Sequence, residues 1–390
     1  MKILFLSRWY PYPPNNGSKI RIFNLLKALS KCHQVTLISF YEPSDGLPDT
    51  QGLKSFCKQI QVLEWQPFRP LGIHALLGFF SSKPRSFIDT FSAKLKKLIE
   101  TTLSNERYDL VIASQIDMAG YAPYFQGIPA IFEEVEVGVL YEQYARAQSW
   151  SRRLRYGMTW GKHRRFLTST LHHFGACTVA SNREADLLSQ VVHDSLMIEV
   201  IPNSIDLLDY LNVRETRQPY TLIFTGAFTY APNYEAMLWF LNEVYDQIVV
   251  QVPQAHLTIT GNHAGRPLPG TNHVTLTGYV PDVRPLIARS WCSIVPLHAG
   301  GGTRLKILEA MALGTPVVAT SKGAEGLDVR DGEHLLLADD PAAFARGILS
   351  LFADPALRQS VSESAFRLVK EKYNSEVVMP RFLELVERIV

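Results

Sequence analysis

Residues 292–318 read CSIVPLHAGGGTRLKILEAMALGTPVV. A short run of β-branched residues leads into three glycines, good helix formers follow, and a second β-branched run closes the segment. This order predicts a strand, a glycine loop, a helix over residues 304–313 and a strand at 317–319. Strand, helix and strand in succession form the repeating unit of a parallel sheet with helices on both faces.

The same alternation extends over the whole chain and starts afresh near residue 220, after a polar stretch at residues 203–219. It predicts an α/β protein with two doubly wound, Rossmann-like domains. We expect an N-terminal domain over residues 1–200 and a C-terminal domain over 201–375, with a helix at 376–390 that packs back on the first domain. Since open α/β sheets bind ligands at the carboxyl ends of their strands, a ligand cleft between the two domains is expected.

Composition excludes several classes of protein. A chain of 390 residues with 46% apolar and 19% charged residues is globular, and its longest apolar stretch, residues 71–80, is too short to span a membrane. The N-terminal MKILFLSRWYP is typical of a first strand rather than of a signal peptide. Four dispersed cysteines without a C-x-x-C motif indicate a reducing cytoplasm rather than disulfides or a zinc ribbon.

Charge is distributed unevenly along the sequence. Residues 1–200 hold 23 Lys and Arg against 17 Asp and Glu, and no acidic residue occurs from residue 143 to 182. The cations of residues 146–165 suit binding to an anionic membrane or to an anionic substrate; a solvated helix face is the alternative. Together with the apolar LLGFF at residues 76–80, they favour a peripheral position on the inner face of the cytoplasmic membrane. A buried helix edge is the alternative for residues 76–80.

The glycine loop carries the strongest chemical signal. Arg304 and Lys306 stand at the start of the helix, where cations oppose the helix dipole unless an anion is bound there. This misplacement favours a bound polyanion over a plain flexible turn, and the segment is not a P-loop. Glu309 lies in an apolar run and needs a partner, which is either a ribose diol or a core salt bridge.

Two loops of the first domain are further candidates. PPNNGS, with Gly17 and Ser18, follows the first strand where a phosphate or sugar binds, although a plain turn is the alternative; no G-x-G-x-x-G motif supports NAD. Glu133, Glu134 and Glu136 follow another strand and form a base, an acceptor-binding group or a solvated turn. The absence of D-x-D removes the usual acidic metal clamp for a nucleoside diphosphate, and no metal site is expected.

These segments, in this order, resemble the retaining glycosyltransferase family numbered four, of the GT-B type, and most of all its members that assemble bacterial surface or exopolysaccharides. The matching segments cover nearly the whole chain: NNGSKIRIFNLLKALS, FEEVEV, VASNREADLL, IPNSID, FTGAFTYAPNYEAMLWF, LTGYVPDVRPLIARS and GGGTRLKILEAMALGTPVVAT.

The resemblance implies a role for each matching position. Glu309 holds the donor ribose, Gly226 lies under the phosphates, and Tyr279 and Val280 lie near the nucleobase. Gly17 and Ser18 meet the diphosphate and sugar. The donor sugar and diphosphate are wrapped by the loop that comprises Gly300, Gly301, Gly302, Thr303 and Leu305.

Two departures from the family pattern matter. Gly301 replaces a second glutamate that contacts the donor sugar, and the loop after residue 225 lacks the family's Arg and Lys. We therefore expect Arg304 and Lys306 to take over the phosphate role, and Glu134 or a neighbouring glutamate to meet the acceptor.

The resulting expectation is a metal-independent transfer of a sugar from a nucleoside diphosphate, by default UDP-glucose, to a hydroxyl of a saccharide or lipid-linked saccharide, with retention and without a cofactor or nucleic-acid partner. A nucleotide-sugar 2-epimerase and a non-catalytic polysaccharide-assembly subunit are the alternatives.

Overall fold

The computed structural model describes residues 1–145, 147, 149–192, 196–270, 273–301 and 304–390, without the side chain of Asp45. The chain divides into two compact units. Residues 1–202 and 379–390 form unit 1, and residues 203–378 form unit 2. Each unit is built around a parallel sheet of its own, so both have the Rossmann-like α/β architecture that the alternating pattern predicts.

The sheet of unit 1 has seven strands in the described part of the chain, in the order β3-β2-β1-β4-β5-β6-β7. Every neighbouring pair is parallel. The strand order reverses between β1 and β4, which makes the carboxyl ends of these two strands the ligand-binding position of an open α/β sheet. The strands are β1 (Lys2–Ser7), β2 (Gln34–Tyr41), β3 (Gln59–Glu64), β4 (Leu110–Ser114), β5 (Ala130–Glu133), β6 (Ala176–Val179) and β7 (Met197–Val200).

Helices connect these strands and cover the sheet. They are α1 (Gly17–Leu29), α2 (Ile73–Leu77), α3 (Arg85–Asp89), α4 (Ala93–Asn105), α5 (Ile116–Ala119), α6 (Gly138–Ala145), α7 (Trp150–Leu171) and α8 (Asn182–Ser189). Short 3-10 turns lie at Pro43–Asp45, Gln51–Leu53, Gly78–Phe80 and Ala122–Tyr124. The short helices α2, α3, α5 and α6 are not anticipated from the sequence, because segments of one or two turns are too short to show a helical period.

The sheet of unit 2 has six parallel strands among the described residues, in the order β10-β9-β8-β11-β12-β13. Its order reverses between β8 and β11, so the same rule directs a ligand to the carboxyl ends of these two strands. The strands are β8 (Gln218–Thr225), β9 (His256–Thr260), β10 (Val274–Gly278), β11 (Ser290–Val295), β12 (Val317–Ala319) and β13 (Leu336–Leu337).

The helices of unit 2 are α9 (Leu208–Leu211), α10 (Ala231–Trp239), α11 (Tyr245–Val249), α12 (Arg284–Arg289), α13 (Leu305–Ala312), α14 (Pro341–Ala353) and α15 (Pro355–Leu368). A π-helical segment, Phe240–Val244, joins α10 to α11, and another, Val369–Tyr373, follows α15. The stretch expected to be a polar linker contains α9 and the first residues of β8.

The last helix, α16 (Ser375–Ile389), leads from unit 2 into unit 1. Its buried Phe382, Leu385 and Val386 belong to the part of the helix assigned to unit 1. Arg381 and Arg388 each form an ion pair with Glu199 on β7, at 3.3 and 3.2 Å. The helix is thereby attached to the edge strand of the unit 1 sheet.

Residues 76–80 do not form a buried helix edge. The side chains of Leu76, Leu77, Phe79 and Phe80 are exposed, and only Gly78 of this segment is buried. The alternative considered for LLGFF is therefore wrong. In the described part of the chain, no helix is long and apolar enough to cross a membrane.

Candidate functional site

Three glycines lie at neighbouring strand ends of unit 2, where a ligand site is expected. Gly226, Gly261 and Gly278 lie at the carboxyl ends of β8, β9 and β10, and the Gly261 N–H donates to the Gly278 carbonyl at 2.8 Å. A Cβ on Gly261 would lie 2.7 Å from the carbonyl carbon of Gly226. Only glycine therefore allows the first two strand ends to approach so closely.

Lys306 brings a cation to these strand ends. It extends from the first turn of α13 and donates a hydrogen bond of 3.0 Å to the Asn233 side-chain oxygen. The Lys306 Nζ lies 4.3 Å from the centroid of the Phe224 ring. A Cβ added to Gly226 would lie 3.0 Å from the same Nζ. The amine thus stands beside the end of β8, where the loop after residue 225 lacks a cation of its own.

Burial lowers the pKa of Lys306 to about 7; the positive charge of Arg304 lowers it further, whereas Glu309 opposes the shift. The amine is therefore poised between its neutral and charged forms near neutral pH. A bound anion would favour the charged form.

Asn233 fixes the position of this amine, and sequence reasoning missed it. The buried Asn233 lies in the first turn of α10, and its side-chain NH₂ donates to the Ala227 carbonyl at 2.9 Å. The amide therefore links the β8 loop to Lys306. The sequence does show an amide residue early in a helix that follows a strand-end glycine. It does not show the partner of that amide, because Lys306 lies 73 residues away.

The side chain of Arg304 turns back onto the glycine loop that precedes it. Its guanidinium donates to the carbonyl oxygens of Gly301 at 2.6 Å and Gly300 at 2.8 Å, and Lys322 provides a third, more distant carbonyl at 3.4 Å. The side chain is buried. These bonds join the charged end of Arg304 to the backbone of the glycine loop and so help to hold the loop in shape.

The rest of the glycine loop is tightly packed where it is described. Gly300 has a φ of 98°, and a Cβ there would lie 2.4 Å from the hydroxyl of Tyr230. The side chain of Leu305 is buried at the first position of α13, so its backbone N–H is the group available to a ligand. Gly302 and Thr303 lie outside the described residues.

Glu309 lies one turn after Lys306 on α13 and is bound by Tyr210. The Tyr210 hydroxyl donates to Glu309 Oε1 at 3.2 Å. Burial raises the pKa of the Glu309 carboxyl, whereas the Tyr210 hydrogen bond and Lys306 lower it. Sequence reasoning missed Tyr210, which lies on α9 within the expected linker.

Arg284 completes this corner of the site. Its guanidinium lies 5.9 Å from the Tyr210 ring centroid, donates to the Asp209 carbonyl at 2.5 Å and pairs with Asp282 at 2.8 Å. The charge of Arg284 also lowers the pKa of the Glu309 carboxyl, so this cation acts on both members of the Tyr210–Glu309 pair.

Tyr279 and Val280 directly follow β10, an edge strand of the unit 2 sheet. The Tyr279 side chain is 61% exposed. A flat aromatic surface at this strand end is available for stacking.

Gly17 and Ser18 begin α1, the helix that follows β1 in unit 1. Asn16 caps this helix, since its side-chain oxygen accepts a hydrogen bond of 3.0 Å from the Lys19 N–H. The helix start carries the positive end of the dipole and follows a strand at the position where the sheet order reverses.

The three glutamates after β5 have different surroundings. Glu133 is buried, lies 2.5 Å from the Arg21 Nε and accepts a hydrogen bond of 2.6 Å from the Ser114 hydroxyl. Arg21 also donates to the Ile201 carbonyl at 2.7 Å. Glu133 is thus committed to the packing of unit 1, whereas Glu136 is exposed to solvent.

Glu134 combines a strained backbone, an orienting hydrogen bond and a shifted pKa, which are common features of functional residues. Its φ is 59°, and that of Gln115 after the neighbouring β4 is 70°. Gln115 donates to Glu134 Oε2 at 3.2 Å. Positive φ at two non-glycine residues on adjacent strand ends is strain of the kind that concentrates at functional sites. Burial raises the pKa of Glu134 to about 8; the charge of Arg21 opposes this shift, and Glu133 and Glu136 add to it.

Among the described residues, no group of three or more His, Cys, Asp or Glu side chains is arranged to hold a metal ion.

Comparison with known sequences identifies a domain in unit 2. Residues 219–354 match the family model described as glycosyl transferases group 1. The chain is 24% identical to an "uncharacterized 44.6 kDa protein in cps region" of Klebsiella pneumoniae, over 97% of both chains. It is also 28% identical to the lipopolysaccharide core biosynthesis glycosyltransferase LpsE of Rhizobium meliloti, over 36% of this chain and 44% of that one.

Comparison with solved structures concerns the fold. Anabaena HepE in complex with UDP aligns over 100% of both chains, with a TM-score of 0.69 and 15% identity. HepE in complex with UDP-glucose aligns with a TM-score of 0.67 and 14% identity. This likeness confirms the GT-B fold class that the sequence predicts.

Proposed function

We propose that this chain is a group 1 glycosyltransferase that transfers a sugar from a nucleoside diphosphate donor to a hydroxyl of a saccharide or lipid-linked saccharide. The donor sugar is glucose carried by UDP, and the anomeric configuration is retained. The reaction serves the synthesis of a surface polysaccharide or exopolysaccharide on the cytoplasmic side of the membrane. The cps-region protein of Klebsiella and the lipopolysaccharide core glycosyltransferase of Rhizobium support this setting, and the UDP-glucose complex of HepE makes UDP-glucose the first donor to test.

The position of Lys306 carries the proposal. Its amine stands beside the end of β8, against Gly226 and next to the start of α13. A diphosphate there would meet a cation, the N–H groups of a helix start and a strand end free of side-chain bulk. These are the groups that recognise phosphate in α/β proteins.

The same groups assist departure of the nucleotide. As the bond to the sugar breaks, negative charge builds up on the diphosphate, and a protonated Lys306 stabilises it. One preorganised donor of this kind contributes about 3 kcal/mol to the transition state. Because the chain supplies this cation and its sequence has no D-x-D, we expect transfer to proceed in the presence of EDTA.

Glu309 binds the donor ribose in this proposal. Its carboxylate is partly buried and has a hydrogen bond from Tyr210 to only one of its oxygens in the described contacts. A ribose diol offers two hydroxyl donors to such a group. Tyr279 and Val280 lie near the base, and Gly300 and Gly301 lie near the donor sugar.

Glu134 meets the acceptor in this proposal. Gln115 orients its carboxyl group, and a pKa of about 8 lets it change between acid and base close to neutral pH. In the ionised form it accepts the hydrogen of the attacking hydroxyl. Gly17 and Ser18, at the start of α1, contribute N–H groups for the donor phosphates and sugar.

The experiment combines donor binding with turnover. UDP, GDP, ADP and dTDP, then three UDP-sugars, are tested for a thermal shift with and without EDTA. UDP release from the bound UDP-sugar is then measured with and without a lipid-linked oligosaccharide extract. Transfer predicts that UDP release depends on the extract and resists EDTA.

Two other outcomes contradict transfer. Conversion of the donor sugar to its 2-epimer without an acceptor would identify an epimerase. Nucleotide binding without any turnover would identify a non-catalytic subunit.

A further inference from the structure

An exposed apolar loop on unit 1 contains none of the candidate site residues. Residues 71–80, which contain α2 and the following 3-10 turn, are called the apolar loop here. Six large side chains in it are between 43% and 94% exposed: Leu71, Ile73, Leu76, Leu77, Phe79 and Phe80. Single exposed apolar residues are ordinary, but a contiguous group of this size indicates a binding surface.

A second set of exposed apolar side chains runs along α7. Trp150, Leu154 and Met158 are 80%, 56% and 57% exposed. They follow one another at intervals of four residues, which places them on one side of the helix. This row is called the α7 stripe.

The apolar loop and the α7 stripe are joined by direct contacts. Lys162, one turn after Met158, donates hydrogen bonds of 3.0 Å to the carbonyls of both Gly78 and Phe79. Phe87 on α3 stacks on Phe166 of α7 with ring centroids 4.6 Å apart. The loop is therefore fixed to the same helix that carries the stripe.

Arg85 gives the apolar loop a defined shape. Its guanidinium lies 3.8 Å from the Phe79 ring centroid and donates to the carbonyls of Ala75 at 2.8 Å and Pro70 at 2.6 Å. The loop is held together by these bonds from within, so its outward side chains are presented without a further ordering step.

The sequence segments that form this surface are basic, although the carboxylate of Asp89 lies beside the start of the apolar loop and accepts a hydrogen bond of 2.7 Å from the Arg69 N–H. Neither residues 65–88 nor residues 143–182 contain an acidic residue. On α7, the exposed cations are Arg152, Arg153, Arg155, Arg164 and Arg165. Arg146, which the sequence placed in the same basic stretch, lies outside the described residues.

We propose that the apolar loop and the α7 stripe dock unit 1 on an anionic lipid bilayer. Exposed apolar side chains enter the boundary between headgroups and acyl chains, while flanking cations contact the anionic headgroups. The apolar centre and the basic residues of α7 match this partner in both respects. The inference rests on the proposed transfer to a lipid-linked acceptor, because the lipid part of such an acceptor is anchored in the bilayer.

Co-sedimentation of the full chain with vesicles tests the surface. Vesicles of phosphatidylglycerol and phosphatidylcholine in a 3:7 ratio are compared with phosphatidylcholine alone, at low and high salt. The chain is expected to bind the anionic vesicles, and salt is expected to weaken binding. A Leu71→Ser/Phe80→Ser variant, changed at side chains 88% and 94% exposed, should bind at least about tenfold more weakly.

The cations and a control variant are tested in parallel. Arg152→Gln/Arg164→Gln/Arg165→Gln should lower partitioning about a hundredfold and abolish the preference for anionic lipid. Leu47→Ser/Val250→Ser removes side chains 88% and 81% exposed that lie outside the surface, and it should bind like the wild type.

The thermal shift with UDP is recorded for every variant, so that failure of the surface and failure of the proposed function can be told apart. Absence of vesicle binding by the wild type, or unchanged binding by both surface variants, would overturn docking while donor binding stands. Loss of donor binding with intact vesicle binding would overturn the proposed function instead. A wild-type dimer that Leu71→Ser/Phe80→Ser dissociates, without vesicle binding, would show that a second copy occupies the surface.

Discussion

The Lys306 amine donates a 3.0 Å hydrogen bond to the Asn233 side-chain oxygen, although these residues lie on different helices of unit 2. Asn233 is tied in turn to the Ala227 carbonyl in the loop after β8. The two contacts bring a cation from α13 to the end of a strand whose own loop has none. Both helices start beside strands at the reversal of the sheet order, so a ligand there would contact both.

Donor binding is expected to depend on pH through Lys306. Its pKa of about 7 in the free protein means that the amine is protonated at pH 6 and largely neutral at pH 8. An anionic donor raises this pKa, so binding above pH 7 takes up a proton and its Kd should rise about tenfold per pH unit. Calorimetric titration with UDP-glucose from pH 6 to 9 measures this, since its diphosphate lacks the terminal phosphate that titrates at about 6.

A matched pair of variants tests whether Lys306 causes the pH dependence of donor binding. Lys306→Arg keeps its charge throughout this range and should give a nearly flat profile. Asn233→Asp places a carboxylate next to the amine, raises the pKa of Lys306 and should also flatten the profile, but with weaker binding. A flat wild-type profile, or the same slope in Lys306→Arg, would rule out Lys306 as the titrating group.

Glu309 is expected to recognise the ribose. Glu309→Gln should weaken UDP-glucose binding by about 10- to 100-fold, because hydrogen bonds to a charged group contribute about 1.5–3 kcal/mol each. A donor analogue without the 2′- and 3′-hydroxyls should bind weakly to the wild type and lose little more in the variant. Tyr210→Phe serves as the control, since it removes the neighbouring hydroxyl while keeping the carboxylate. An equal loss for both donors in Glu309→Gln would mean that the glutamate acts on the fold or on the phosphates.

Glu134 is expected to control the pH profile of kcat. With saturating donor and acceptor, kcat should rise with pH until Glu134, whose pKa is about 8, is ionised. Glu134→Gln should lower kcat about 100-fold or more and leave the donor Kd unchanged, as for loss of a general base. A kcat that is flat with pH and survives Glu134→Gln would exclude this role.

Glu133→Gln is the informative comparison for the acceptor side. Glu133 is buried against Arg21, and removal of one partner of a buried ion pair costs about 3–5 kcal/mol of folding stability. We expect its main effect on the unfolding midpoint in urea, with near-normal kcat in the folded fraction.

Arg304 is expected to act through the glycine loop. Arg304→Lys keeps the charge but loses the planar guanidinium fork that reaches the carbonyls of residues 300 and 301, so donor affinity should fall although a cation remains. Amide exchange of residues 300 and 301 should speed up in this variant. If exchange is unchanged while phosphate affinity falls, Arg304 contacts the donor directly and the positioning role is wrong.

Much of the fold follows from the sequence because its signals are local. The apolar strand runs at residues 2–7 and 256–260, each bounded by polar or glycine segments, become β1 and β9 with the same limits. The helix after the glycine loop also has nearly the expected bounds. These elements depend on periodicity and on neighbouring breakers, both of which a sequence displays.

The candidate site could be predicted only in part, because its partners are distant in sequence. The bonds from Asn233 to Lys306 and from Tyr210 to Glu309 span 73 and 99 residues. Nor does the sequence show that Arg304 turns back on its own loop while Lys306 extends to β8. Burial of a charged side chain and its direction depend on tertiary packing, so the different surroundings of the three glutamates after β5 are visible only in the structure.

The most direct test compares UDP, UMP and uridine by calorimetric titration on the wild type and on Lys306→Met. The account predicts that the wild type binds UDP much more tightly than UMP, since the second phosphate meets Lys306, and that the ratio of the two affinities falls at least about tenfold in the variant. Uridine should bind both proteins equally. An unchanged ratio in Lys306→Met, or no preference for UDP in the wild type, would contradict a diphosphate site at the end of β8.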